Sequence, residues 1–142
     1  MDKDELITLT QQGYDCAQCI IKEFEDVLGE DTGKVIRTMS AMSMGLLQGS
    51  ICGAVLGALA IIGYVFGKEN PDVSAQGLCM IKREMFFMEF RAKYPEITCP
   101  GILGLDVRIN DDNIKANATG VYTTKCPQMF MDITDIVRRL IS

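Results

Sequence analysis

From Asp2 to Leu28 apolar positions recur at helical spacing. Leu6, Leu9, Gly13, Ala17, Ile20, Phe24 and Val27 fall on one face, and Gly29 supplies a stop. The pattern predicts one long amphipathic helix, with Cys16 at the edge of its apolar face and Cys19 further round. A second helix is expected from Thr32 to about Gln48, polar at Lys34 and Arg37 and apolar at Met39, Met42 and Leu46. Ser50 is the expected N-cap of a third, which runs through Phe66 and stops at Gly67. After the turn Asn70-Pro71-Asp72, a fourth helix runs from Ser74 to about Tyr94 and is halted by Pro95. Thr98 to Gly104 reads as a short helix with Pro100 at its first position. Asp106 to Lys125 is polar and turn-rich and reads as an irregular loop with a small hairpin. A final helix starts at Pro127, with Met129 or Phe130, Ile133, Ile136 or Val137, and Leu140 facing inward. The expected fold is all-α, one domain over residues 1–142, a bundle of about five helices with a short irregular loop before the last.

Thr38 to Gly67 has no charged side chain, and Ala41, Gly45, Gly49, Gly53 and Gly57 recur in it every fourth residue. The stretch is long enough for a membrane span, and the small-residue stripe is of the kind that lets helix backbones touch. Gly49-Ser50 breaks it, however, and the strongly apolar part shrinks to Ile51–Phe66. No flanking Lys/Arg asymmetry or Trp belt supports insertion. The expectation is a buried core helix pair. Glycine is poor in an isolated helix, so its spacing requires another backbone passing close by.

Composition removes several functions. A net charge of −5 without a basic cluster argues against nucleic acid. The chain has no His, which excludes Cys-His and Ser-His catalysis and His-ligated metals. Six cysteines in 142 residues fall short of a disulfide scaffold. The start Met-Asp-Lys-Asp-Glu-Leu is acidic and has no basic segment followed by an apolar one. It predicts no secretory signal and a reducing cytoplasmic location, where cysteines serve metals or redox chemistry.

Cys99 and Cys126 each precede a proline, which places both at or near a helix start. If Ser50 caps the third helix, Cys52 lies in a first turn as well. Unpaired N–H groups and the positive end of the helix dipole favour a thiolate there. Gly53 would let a partner atom or cluster approach the backbone beside Cys52. Cys16-Ala-Gln-Cys19 is a CxxC without a second pair, which disfavours a zinc ribbon, and no βαβ context supports a thioredoxin-like role. Cys79 and the nine methionines read as core filler. Asn117-Ala-Thr is a glycosylation sequon by pattern only, and Asp106, Asp111 and Asp112 lack calcium-loop spacing.

Together these landmarks resemble the C_GCAxxG_C_C family, a group designated as redox-active. Gly13-Tyr14-Asp15-Cys16-Ala17-Gln18 is similar to its first cysteine motif, and Cys52-Gly53-Ala54-Val55-Leu56-Gly57 matches the CGAxxG signature. Cys99 with Leu103-Gly104, and Cys126 ahead of the last helix, are similar to the third and fourth. Cys19 and Cys79 are extra to the pattern. The resemblance implies that Cys16, Cys52, Cys99 and Cys126 form one redox site, and that transporters are associated partners. Cys19 and Gly53 are candidates to contact whatever the site holds.

Three functions follow as expectations. The first is an oxidoreductase or electron-transfer protein, in which the four thiols act as dithiol/disulfide pairs or hold an iron–sulfur cluster and exchange electrons with a separate redox partner. The second is a four-cysteine zinc module without turnover, disfavoured by the scattered single cysteines. The third is a helical interaction protein with inert thiols. A homodimer is expected in each case, with the glycine-spaced helix available for dimerisation. In the fold, the sulfurs of Cys52, Cys99 and Cys126 should meet at helix N-termini, with Cys16 reaching in from the first helix.

Overall fold

A computed structural model describes residues 1–142. The all-α expectation holds, but the helices number eight rather than about five. They are α1 (Lys3–Gln11), α2 (Cys16–Glu23), α3 (Thr32–Thr38), α4 (Gly53–Phe66), α5 (Val73–Lys93), α6 (Cys99–Leu103), α7 (Asn110–Thr119) and α8 (Val121–Ile141). A single helical turn, Glu25–Leu28, follows α2, and three short 3-10 segments lie around α3.

The long first helix is two. Gly13 takes a φ of +98°, and Asp15 then caps α2. Its carboxylate accepts the N–H groups of Ala17 at 3.0 Å and Gln18 at 2.9 Å, while Gln18 reaches back to the N–H of Asp15. This capping box restarts the helix one residue before Cys16. The apolar spacing ran through the break because both pieces turn the same side to the core.

The second predicted helix ends at Thr38, not Gln48. Beyond it, Met44, Gly45, Leu46 and Leu47 are all left-handed, with φ of 52°, 63°, 59° and 51°. Each non-glycine residue held there costs about 1–2 kcal/mol. The supposed loop Asp106–Lys125 is mostly helix as well. Asp106 accepts the N–H of Arg108 at 3.0 Å and donates its own to Asp112 at 2.9 Å, leading into α7. Gly120 (φ +66°) joins α7 directly to α8. Pro127 is therefore an interior residue of α8 rather than its start.

The core forms around α4. Ala54, Val55, Ala58, Ile61 and Ile62 are essentially fully buried, which explains why the segment carries no charge. Ile20 and Ile21 of α2, Phe86 and Phe90 of α5, and Ile133 and Val137 of α8 close around it. Gly57 brings α2 near: a Cβ there would lie 2.8 Å from both the Ala17 carbonyl and the Ile20 Cβ. Within the helix the glycine spacing thus has the packing reason expected of it, at Gly53 and Gly57. Gly45 and Gly49 sit in turns. No helix is long and apolar enough to cross a membrane.

Candidate functional site

Three of the four motif cysteines stand at helix starts. Cys16 is the first residue of α2, Cys52 is the N-cap of α4, and Cys99 is the first residue of α6. Ser50 does not cap α4; its carbonyl instead accepts the N–H of Cys99 at 2.9 Å. The Cys52 N–H donates to the Ile97 carbonyl, also at 2.9 Å, and Ile51 and Thr98 form an antiparallel bridge between these bonds. The two helix starts are thereby zipped side by side. The Thr98 hydroxyl accepts the N–H of Gly101 and fixes the turn that presents Cys99.

Cys16 is held over α4. Its sulfur packs where a Cβ on Gly53 would be, and the carbonyl oxygen of Met42 would lie 2.8 Å from that same Cβ. Gly53 therefore admits a sulfur of the chain itself to the backbone beside Cys52. Gly45 does the same for Cys99, whose Cβ would lie 2.8 Å from a Cβ at position 45. The left-handed segment aims the Met44 N–H at the Cys16 sulfur, alongside the N–H of Ala17. The N–H groups of Ala54 and Val55 face Cys52.

Cys126 departs from expectation. It lies in the interior of α8, five residues past the start, and no helix N-terminus supports it. It still joins the others, since its thiol feels Cys52, Cys16 and Cys99. Cys16 feels Cys52, Cys52 feels Cys99, and Cys99 feels Cys16. Every pair among the four is thus close enough to interact. All four line the same cavity, with Cys16 at a helix start and Cys126 inside a helix, the reverse of their anticipated places.

The expected thiolates do not follow. Burial pushes the thiols of Cys16 and Cys99 up to about 11 and that of Cys126 up to about 12, and mutual repulsion adds to it. Burial also raises Cys52, against the N–H groups of Ala54 and Val55. Removing an anion from water outweighs the few N–H donors at a helix start. All four are protonated thiols at neutral pH, and all six cysteines are free. No three Cys, Asp or Glu side chains gather closely enough to hold one metal ion.

The four thiols line one cavity of about 400 Å³ with mostly apolar walls. Cys19 reaches it too, fully buried, and burial pushes its thiol up to about 12. Cys79 on α5 does not. Sequence reading missed Tyr122, whose hydroxyl is shielded from solvent and has no hydrogen-bond partner. Burial and the neighbouring Cys99 and Cys126 raise its pKa. Its signal was the four-residue step to Cys126, which places both on one face once α8 is extended back to Val121. A small apolar cluster of Leu103, Val107, Ala116 and Val121 packs against Cys99, Tyr122 and Cys126.

An all-helical chain with Cys52 buried and Cys16, Cys99 and Cys126 half-buried on one cavity wall defines a cysteine-motif protein. The chain belongs to the C_GCAxxG_C_C family, described as "Putative redox-active protein", which matches residues 14–140. No curated protein and no solved structure matches it.

Proposed function

We propose that this protein is a thiol redox carrier whose working groups are Cys16, Cys52, Cys99 and Cys126. The supporting observation is the mutual proximity of all four thiols on one apolar cavity wall. Two thiols would form a disulfide, releasing two protons and two electrons, and a disulfide of the redox partner would take these up and become two thiols. Cys16 and Cys52 are the best candidates to attack, because each has two backbone N–H groups to steady its thiolate. The transporter link implied by the family resemblance makes a membrane transporter a candidate associate.

The second reading is an iron–sulfur cluster held by the same four residues. It is favoured by the N–H donors at two sulfurs, which suit cluster-bound thiolates. Such a cluster would supply one-electron transfer. Zinc is not favoured, because no three ligands gather on one point. Protein purified without oxygen decides between the first two. A colourless sample that loses two thiols on mild oxidation and regains them on reduction supports the dithiol. A brown one with iron, sulfide and bands lost in Cys52→Ser supports the cluster. Inert motif thiols without metal refute both.

The expected homodimer cannot use the glycine spacing, since Gly53 and Gly57 pack inside the chain. We assign it to α5. There Ser74, Leu78, Ile81, Met85, Met88 and Ala92 are exposed and alternate in steps of four and three. The spacing reads the same from either end, so antiparallel copies would set Leu78 against Met88 and Ile81 against Met85. Sedimentation of wild type as a dimer and of Ile81→Glu as a monomer is expected; a wild-type monomer overturns it.

A further inference from the structure

The geometry points to the thiol-lined cavity as the binding site of a small, uncharged, largely apolar disulfide, held through an acceptor atom by the Tyr122 hydroxyl. This rests on the thiol redox reading above and names its substrate class.

Three observations carry it. The cavity holds about 400 Å³, within the range of small-molecule sites. It is too large to be a packing defect, and Leu6, Ile102, Met129 and Phe130 give it apolar walls around the sulfurs. Second, no Lys or Arg lines it, and the one charged residue that does, Asp15, spends an oxygen on the N–H groups of Ala17 and Gln18. A carboxylate or phosphate entering here would lose water without gaining a counter-charge. Third, the Tyr122 hydroxyl is the one buried side-chain oxygen or nitrogen without a partner. Its proton needs an acceptor, and an orphaned buried donor is rare enough to require a reason.

The reaction balances within the site. Two of the four thiols become a disulfide, the S–S bond of the ligand breaks, and its two halves leave as thiols carrying the two protons.

The test compares two disulfide probes on the anaerobically reduced protein. 4,4′-Dithiodipyridine is neutral; 5,5′-dithiobis(2-nitrobenzoate) is dianionic. With each rate divided by that of free cysteine, the neutral probe should react at least about tenfold faster, a discrimination of one desolvated charge or more. Di(4-pyridyl) sulfide, which cannot exchange, should bind by calorimetry. Tyr122→Phe should weaken that binding about 3- to 10-fold, the loss of one hydrogen bond. The same variant should raise the melting temperature of the free protein, because it deletes an unsatisfied donor. Equal normalised rates, no binding of the sulfide, or unchanged binding by Tyr122→Phe overturns the proposal. Reversible thiol oxidation without sulfide binding would sink the pocket and leave the redox reading standing; thiols inert to both probes would sink both.

Discussion

Gly53→Ala is the sharpest perturbation of the site, because the added methyl group meets atoms that cannot step aside. Besides the Cys16 sulfur, it would lie 2.8 Å from the Met42 carbonyl oxygen and 2.9 Å from the Ser43 Cα. Two of these three are backbone, and real Cβ atoms do not approach so closely. Relieving the clash means pushing the 42–47 segment outward or lifting Cys16 off α4. Overpacking of this kind costs about 1–3 kcal/mol. Alanine returns at most about 1 kcal/mol through its higher helix propensity, and less in a first turn. The expected net loss is therefore about 1–2 kcal/mol. Gly63→Ala is the internal control on the same helix. A Cβ there meets nothing, so the propensity gain stands alone and stability should rise by about 0.5–1 kcal/mol. Urea unfolding of the reduced proteins gives both numbers. Alkylation of Gly53→Ala should also show faster modification of Cys16. If the two variants change stability in the same direction, the close packing of Cys16 on α4 is wrong.

Other outcomes are open to measurement. Each motif thiol has a folded pKa above its ordinary value near 9, so the unfolded chain releases protons first as pH rises. The stability these thiols confer is complete below about pH 9 and is lost progressively toward pH 11–12. Thermal melts across that range should fall, and a quadruple Ser variant that still folds should lose most of the slope. Arg138 joins α8 to the end of α2 by donating to the Glu23 carbonyl at 2.7 Å, bridging Asp26 and stacking 4.3 Å over Phe24. The Asp26 pair is exposed and worth little, so Arg138→Ala should cost about 1–2 kcal/mol through the carbonyl and ring contacts. Lys at this position should recover less than half in urea unfolding, because it lacks the planar fork. Cys79→Ser, outside the cavity, should leave thiol oxidation unchanged, and altered oxidation would place a second site on α5.

The parts of the fold legible in sequence are those whose signals are local. α5 and α6 start within a residue of the expected Ser74 and Pro100 and stop near Pro95 and at Gly104, as residue type indicated. The uncharged stretch announced a buried helix, and Gly53 announced a close approach. The break at Gly13–Asp15 was also local, an Asp-x-x-Gln capping box, but uninterrupted apolar spacing outweighed it. Pro127 misled by its usual preference for a first turn, although its ring here is buried inside a longer helix. The left-handed residues Met44, Leu46 and Leu47 have no sequence signal, because β-carbon-bearing residues adopt that conformation only when surrounding structure compels it. The thiol pKa values were illegible for a similar reason. A helix start is a local feature that favours thiolate, whereas burial is a property of the assembled fold and here it dominates.

The convergence of four sulfurs from four distant segments is the central claim, and disulfide mapping tests it most directly. Reduced, metal-free protein is mildly oxidised at low concentration, trapped with an alkylating agent, digested and sequenced by mass spectrometry. Linked peptides should join Cys16, Cys52, Cys99 and Cys126 among themselves, in Cys79→Ser as in wild type. Links that run chiefly through Cys79, or four motif cysteines that remain singly alkylated under conditions that oxidise a control dithiol, would contradict the site.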